Sequence, residues 1–593
     1  MLKGEHVKGQ PTAKVSLLKH LLLHRLSLTK RGGTLFRVVA ETVASSVVLG
    51  LILWAISWSF GLVGGIREFS SAIRFELPYL LVAYAALLHL MRPTPWRVVI
   101  AALPIIVLYL AIDLHYVLMH SVFKLDELLL LPEGLNVSPA WLRVGAYVAS
   151  AVWLIFFMKN FKRRPRDLAL PLLLLALASV PPVTAYTLPK EFLKAADASG
   201  FEIVPWSDRF TSAVIGRTTA LFLFAATKNM ALEDLARHPV VDDPDRNPGL
   251  LKNSLKKSRN IHILILESFL DPERFKALKF QTPPAPSRFD ALRKNMHLSR
   301  SPVFGGGTAQ VEFEVLCGVP ALELYSPAEF NMFKGMPTPC LPNLLSAAGY
   351  RTVATQSYKP EFFNSEQAYH SMGFQETNFP SVYAEKRKTY LRYNVANSYI
   401  FDGDLLSQNL LYVEKLLAEG KPFLNYVLGT YGHLPHITDT ERFPPRVDVV
   451  GVKPGSQAYL AIQQFYYRAG AVADYVQRLR RMDPESLIVV TSDHLPPLDA
   501  GPLTYETLGY SLKDGGEFRQ NIWFYYGPKH NSIAWPDHDY EFMDFVLDVL
   551  TEERICQKML CKNREVWTPE KLTASYNHII SLGAGIAGDS SRR

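Results

Sequence analysis

The sequence predicts two unlike halves: an N-terminal five-helix transmembrane domain and a C-terminal α/β domain with a mostly parallel sheet. Three observations carry this expectation. Residues 38–186 hold five apolar stretches, each near the roughly 20 residues that a spanning helix needs. From Lys256 onward the pattern changes to short β-rich runs separated by helical segments, the alternation of α/β domains. Basic residues crowd ahead of the first apolar stretch, where a cytoplasmic tail belongs.

The 593 residues are 48% hydrophobic and 20% charged, which excludes disorder and is too apolar for an ordinary soluble enzyme. The net charge of +8 hints at nucleic acid until it is mapped. Residues 1–37 carry eight Lys/Arg against Glu5 alone, which accounts for +7 of it. This is a basic cytoplasmic tail, and no nucleic-acid partner is expected.

The stretches centre on 38–63, 75–92, 98–118, 142–159 and 168–186. The first is too long and too far in for a cleaved signal peptide. Arg92 and Arg97 flank one turn and Lys159, Lys162, Arg163, Arg164 and Arg166 crowd another, whereas loop 119–141 carries Asp126, Glu127 and Glu133. Positive loops belong inside, so five crossings put everything after about residue 187 on the outer face of a bacterial inner membrane, in the periplasm or outside the cell. Glu76, Pro78 and His89 weaken the second stretch, for which a re-entrant hairpin is the alternative. Residues 187–255 mix apolar runs with charges, among them Arg217 and Lys228, and read as interfacial amphipathic helices. The four cysteines lie in residues 256–593, the oxidising side. Cys556 with Cys561 is one candidate bridge and Cys317 with Cys340 another, among three possible pairings.

In residues 256–593 the expected strands are Ile261 to Leu266, Arg351 to Thr355, Phe423 to Leu428 and Leu487 to Val490, apolar almost throughout as strands covered on both faces are. Polar residues follow them: Glu267, His433, and Ser492-Asp493-His494. Sites in open α/β sheets lie at the carboxyl ends of strands. A fourth element, Gly305-Gly306-Gly307-Thr308, opens a helix whose free N–H groups and dipole make a phosphate cradle. Each signal has a plain alternative: Thr308 as an N-cap with Glu312 near the capping-box position, Glu267 as a rim carboxylate, Asp493-His494 as a turn, His433 as a turn histidine. Together, two carboxylates, a hydroxyl and an imidazole make a four-ligand site for one divalent metal ion. Coordination would lower the hydroxyl pKa enough for attack on a phosphorus or sulfur ester.

At these residues the chain resembles the lipoteichoic acid synthase and phosphoethanolamine transferase families, which share the alkaline phosphatase/sulfatase fold. The matching pieces are ILILESF, GGGTAQVEFEVLCG, NLLSAAGYRTVATQ, YHSMGF, GTYGHLPH and VTSDH, in the family's order. The resemblance implies a two-step transfer of a phospholipid head group through a threonine nucleophile, Thr308. It implies Glu267, Thr308, Asp493 and His494 as metal ligands and His433 as the group that binds the phosphoryl or protonates the leaving alcohol. His436 is a further substrate contact or a neighbour on the loop. Phe363 and Asn364 occupy the place of an aromatic and an asparagine that hold phosphoglycerol in lipoteichoic acid synthases. Ser365 stands where those enzymes have arginine, so Lys359 or another cation would have to substitute. Leu495 after His494 departs from the usual glycine and reshapes the rim.

The expected function is transfer of phosphoglycerol from phosphatidylglycerol, the membrane donor, to an envelope glycan or glycolipid. Phosphoethanolamine transfer to lipid A or a periplasmic glycan is the alternative. A sulfatase is disfavoured because no C/S-x-P-x-R motif is present, and a non-catalytic lipid sensor by the intact ligand set. The ligands suit Mn²⁺, Mg²⁺ or Zn²⁺.

Overall fold

The computed structural model describes residues 40–586, apart from 64, 68–69, 120–121, 132–134, 136–139, 202–207, 238–247, 256, 327, 384–387, 394–398, 437–438, 514–515, 529–534 and 553–567. The basic tail and the candidate bridge Cys556–Cys561 lie outside the described residues.

Among the described residues five helices are long and apolar enough to cross a membrane: α1 (Ala40–Leu62), α2 (Ser70–Leu90), α3 (Arg97–Met119), α4 (Ala140–Asn160) and α5 (Ala169–Thr187). The chain is therefore a multi-pass membrane protein. The stretch weakened by Glu76 and Pro78 is one continuous helix, not a hairpin, with Pro78 inside it. What makes Glu76 tolerable there is tertiary. Its carboxylate accepts the Thr218 N–H at 2.5 Å, the Thr218 hydroxyl at 2.6 Å and the Tyr109 hydroxyl, so the buried acid is fully engaged.

Then come α6 (Pro189–Ala198), α7 (Asp208–Ile215), α8 (Arg217–Arg237) and α9 (Pro248–Ser254). In α8 every residue from Arg217 to Leu223 is buried, so this helix is not one-sided as a surface helix would be. Arg217, which in the sequence reads as an interruption of an apolar run, pairs with Asp113 of α3 at 2.8 Å, with both side chains fully buried. It also donates to the Ile66 carbonyl at 2.7 Å and the Ser57 hydroxyl at 3.1 Å. A charge among apolar helices persists only with such partners.

The second half is built on a seven-stranded sheet. Its strands are β1 (Ile261–Leu266), β2 (Met296–Arg300), β3 (Arg351–Gln356), β4 (Glu376–Asn378), β5 (Phe423–Gly429), β6 (Leu487–Ser492) and β7 (Gln520–Tyr526). Their spatial order is β2-β7-β6-β1-β5-β3-β4. β6, β1, β5, β3 and β4 run parallel; β7 is antiparallel to its neighbours β6 and β2, so that only it is reversed. The four anticipated strands are the central ones, buried at nearly every residue. The additional β2 and β4 escape a reading for continuous apolar runs because they are short or mix polar residues in (MHLSR, ETN), whereas the equally unanticipated β7 carries the run IWFYY, a signal that was legible in the sequence.

Helices cover both faces. On one, α10 (Thr308–Cys317), α11 (Leu341–Ala347), α12 (Ser365–Met372), α15 (Phe542–Thr551) and α16 (Pro569–Gly583) enclose a core around Phe313, Tyr369 and Trp523. On the other, α13 (Asp402–Ala418) and α14 (Gln457–Met482) pack a core around Phe289, Phe465 and Val490. Cys317 at the end of α10 and Cys340 before α11 form a disulfide across 23 residues of sequence. Cross-linking a loop of that size stabilises by about 3 kcal/mol in the chain-entropy account. The double variant Cys317→Ser/Cys340→Ser should lose about that much in denaturant unfolding. A midpoint unchanged by the substitution, and by reductant in the wild type, would refute this.

Candidate functional site

Register brings the site together. Leu266, the last residue of β1, lies beside Gly429 of β5 and Ser492 of β6. The next residues, Glu267, Thr430 and Asp493, therefore leave the sheet side by side at its carboxyl edge. Glu267 and Asp493 are 3% and 0% exposed.

Thr308 reaches them from α10. The helix cap is Gly307 at φ 86°, not the threonine, and no side chain caps the helix. The capping-box alternative is thus set aside. The Thr308 hydroxyl is turned outward to stand 3.0 Å from Glu267 Oε2 and 2.9 Å from Asp493 Oδ2. Glu312 takes the Tyr369 and Tyr426 hydroxyls at 2.6 and 2.5 Å. Gly305, also at positive φ, and Gly306 lie where a Cβ would press on Leu118 and Met119, the last residues of α3. The glycine loop is therefore seated against the end of a membrane helix.

His494 completes the cluster. Its Nε2 lies 3.4 Å from Glu267 Oε1 and 3.3 Å from Asp493 Oδ2, buried and without a hydrogen bond, while Nδ1 sits 3.2 Å from the Leu495 carbonyl. With Nδ1 turned to that carbonyl, Nε2 is left facing the two carboxylates. One hydroxyl proton cannot satisfy two carboxylates. Burial, then the charge of Glu267, push the Asp493 carboxyl up to about 7. On Glu267 burial acts in the same sense, but His494 and His433 outweigh it and hold that carboxyl below the usual range. Ligand atoms of Glu267, Asp493 and His494 all lie within 4.8 Å of one another. The crowding of acceptors around a shared centre fits a divalent cation, with Thr308 as a fourth ligand.

Several residues that the sequence did not single out hold this cluster. Asp493 Oδ1 accepts the N–H groups of Ser268 at 2.7 Å and His494 at 2.6 Å, and its carbonyl accepts from Ser301 and Asn521. Buried Arg468 of α14 donates to the Glu267 carbonyl at 2.6 Å and to Asp402 at 2.7 Å. Above it Gly432 is required by close approach, since a Cβ would collide with the Glu267 carbonyl and the Arg468 guanidinium. No local pattern joins Asp402 to Arg468, which are 66 residues apart. Ser268, adjacent to Glu267 and at φ 52°, was the one legible neighbour.

His433 is half-buried, with Nδ1 2.6 Å from the Leu434 carbonyl and its ring stacked on Tyr399 at 5.1 Å. His436 is buried, with Nδ1 3.0 Å from Gln464 Oε1. Burial, partly offset by Gln464, drives its pKa down to about 4, so it stays neutral. Phe363 and Asn364 depart from their expected use. Phe363 packs against the core, and Asn364 spends its amide hydrogens on the Phe330 and Phe333 carbonyls at 2.8 and 3.0 Å. An amide so engaged braces a turn and has no donor left for a head group. Lys359 lies over the rings of Tyr358 and Tyr383, at 5.4 and 5.7 Å.

Burial pushes Glu312 up to about 7, against the lowering effect of the two tyrosines. A carboxyl raised in the fold contributes stability that is full below its unfolded value of 4.5 and is lost as pH rises through 7. Thermal stability of the wild type relative to Glu312→Gln should therefore fall by about 3 kcal/mol between pH 4.5 and 7.5. Parallel pH profiles of the two proteins would contradict it.

Residues 259–545 match the sulfatase family model. A putative cyclic beta-1,2-glucan modification protein of Rhizobium meliloti is 27% identical over 262 residues, covering 42% of this chain and 37% of the relative. The match thus spans little more than a third of that relative's length. Among solved structures, the chain is similar to the lipoteichoic acid synthase LtaP from Listeria monocytogenes, at 18% identity and a TM-score of 0.42 over 54% of this chain and 78% of that one. It is also similar to the Streptococcus pyogenes phosphoglycerol transferase GacH, at 15% identity and a TM-score of 0.42 over 62% and 95%. The C-terminal periplasmic domain of EcEptC from Escherichia coli is 15% identical, with a TM-score of 0.32 over 55% and 86%.

Proposed function

We propose, from the match of residues 259–545 to the sulfatase family model, that the chain transfers phosphoglycerol from phosphatidylglycerol to an envelope glycan through a phospho-threonine. The observation that carries this is the Thr308 hydroxyl, set at a helix N-terminus between Glu267 and Asp493 with His494 beside them.

In the first half-reaction the Thr308 oxygen attacks the phosphorus of the donor. An Oγ–P bond forms as the hydroxyl proton passes to Asp493 Oδ2, which it faces at 2.9 Å; the bond from phosphorus to the diacylglycerol oxygen breaks, and His433 Nε2 gives that oxygen a proton. In the second, an acceptor hydroxyl loses its proton to His433 and attacks the same phosphorus; the Oγ–P bond breaks and Thr308 recovers its proton from Asp493. The N–H groups at the start of α10 face the phosphoryl oxygens. Glu267, Asp493, His494 and Thr308 would hold one divalent cation, which when bound supplies positive charge to the hydroxyl oxygen and the phosphoryl group. The contact between the glycine loop and the end of α3 suits a donor that never leaves the membrane, with the domain on its outer face.

Phosphoethanolamine is the second reading. Its ammonium would be suited by the faces of Tyr358 and Tyr383, but Lys359 already covers both. A cation there favours a head group without one. The test is to incubate the protein with Mn²⁺ or Zn²⁺ and equal amounts of phosphatidylglycerol and phosphatidylethanolamine, then weigh the intact chain and follow diacylglycerol. Phosphoglycerol on Thr308 supports the proposal, phosphoethanolamine replaces it with the second reading, and neither adduct nor diacylglycerol sinks both.

A further inference from the structure

A row of aromatic rings leads away from the His433 loop. Tyr431, two residues before His433, meets Phe401 at 5.1 Å; Phe401 meets Phe443 at 4.4 Å; and Phe443 meets Tyr467 at 5.0 Å. The last three rings are half-buried and line a cleft of about 330 Å³ between the start of α13 and the middle of α14. That size falls within the range of small-molecule sites. The same elements carry Asp402 and Arg468, which brace Glu267, so the cleft is tied to the proposed centre by rigid backbone as well as by the rings.

The rim is charged in balanced pairs. Arg288 meets Asp474 at 3.0 Å, and Asp404 pairs with Arg442, whose guanidinium lies over Phe443 at 4.9 Å. Exposed Arg478 also lines the opening. An anion would call for a single sign of charge, and a lipid tail for an apolar mouth. Alternating donors and acceptors around ring faces suit a neutral polyol, whose hydroxyls both give and take hydrogen bonds. A pyranose has that character: its C–H face lies on an aromatic ring and its edge hydroxyls reach the rim.

We infer that this cleft holds a neutral pyranose chain, the glycan acceptor that would take the head group from Thr308. The inference rests on the glycan acceptor put forward above. It adds where the chain is held: on Phe401, Phe443 and Tyr467, outside the phosphoryl-transfer residues.

The test uses the full-length protein in detergent and a linear β-1,2-linked gluco-oligosaccharide, followed by calorimetry. Saturable binding is expected in the wild type and in Thr308→Ala. Phe443→Ala and Tyr467→Ala should weaken it about tenfold or more, as loss of a stacked aromatic anchor does. Asp474→Asn, an exposed rim change that leaves the core intact, should weaken it less, and it serves if either ring variant fails to fold. Absent wild-type binding, affinity equal in all these variants, or displacement of the sugar by phosphatidylglycerol vesicles would overturn the inference. The head-group adduct on Thr308 is measured in the same preparations. Adduct without sugar binding sinks the cleft and leaves the transferase, whereas sugar binding lost in the ring variants without any adduct supports the cleft and sinks the donor chemistry.

Discussion

Replacing Thr308 by alanine is expected to cut head-group transfer by at least about a thousandfold and to leave no covalent adduct on the chain. The hydroxyl is the one nucleophilic group at the head of α10, and it contacts both carboxylates of the cluster. Neither Glu267 nor Asp493 can take over, because each is committed to its neighbours. Thr308→Ser keeps the oxygen but loses the methyl group that restricts its rotamer, so activity should return to within about tenfold of wild type. Adduct mass and diacylglycerol release, measured on all three proteins, check this. An alanine variant that still forms an adduct would move the nucleophile elsewhere, and a serine variant as inactive as alanine would show that the hydroxyl alone is not what matters.

The second large effect concerns the support beneath Glu267. Asp402→Ala should destabilise the protein by about 3–5 kcal/mol, because it strands the buried Arg468 charge. The same change should reduce transfer, since Arg468 holds the Glu267 carbonyl at 2.6 Å and the carboxylate is aimed from that backbone. A double variant, Asp402→Asn/Arg468→Gln, removes both charges and should be less destabilised than the single one while remaining poor in transfer. Denaturant midpoints and transfer rates of the three proteins decide the matter. A single variant as stable as wild type, or a double variant with full activity, would show that the pair does not position Glu267.

Much of this architecture was legible in the residues. A helix that crosses lipid must be apolar for about 20 residues, and a parallel strand covered on both faces must be apolar throughout, so both halves are written in local hydrophobicity. β1 is a continuous apolar run, ILIL, and the polar residue that follows it stands out against that run. Gly305, Gly306 and Gly307 likewise announce a turn into a helix. The edge strands carry no such signal: β2 (MHLSR) alternates and β4 (ETN) is short and polar, and their pairing is chosen by the sheet they complete.

What the sequence could not decide was which polar residue belongs to which partner. Glu76 reads as a flaw in a membrane helix, and Arg217 as one in a linker, until Thr218, Tyr109 and Asp113 are set beside them. Asn364 reads as a ligand contact, yet its hydrogens are spent on a turn 31 to 34 residues away. Thr308 reads equally as a cap, and only the register of β1 against β5 and β6 brings Glu267 and Asp493 up to its hydroxyl. Hydrophobic pattern is a property of neighbours in the chain, so the sequence by itself determined the two domains and the edge of the sheet where polar residues gather. Hydrogen bonds and ion pairs between distant residues depend on distances of about 3 Å that only the packed chain sets, and the tertiary structure alone decided which of those residues meet.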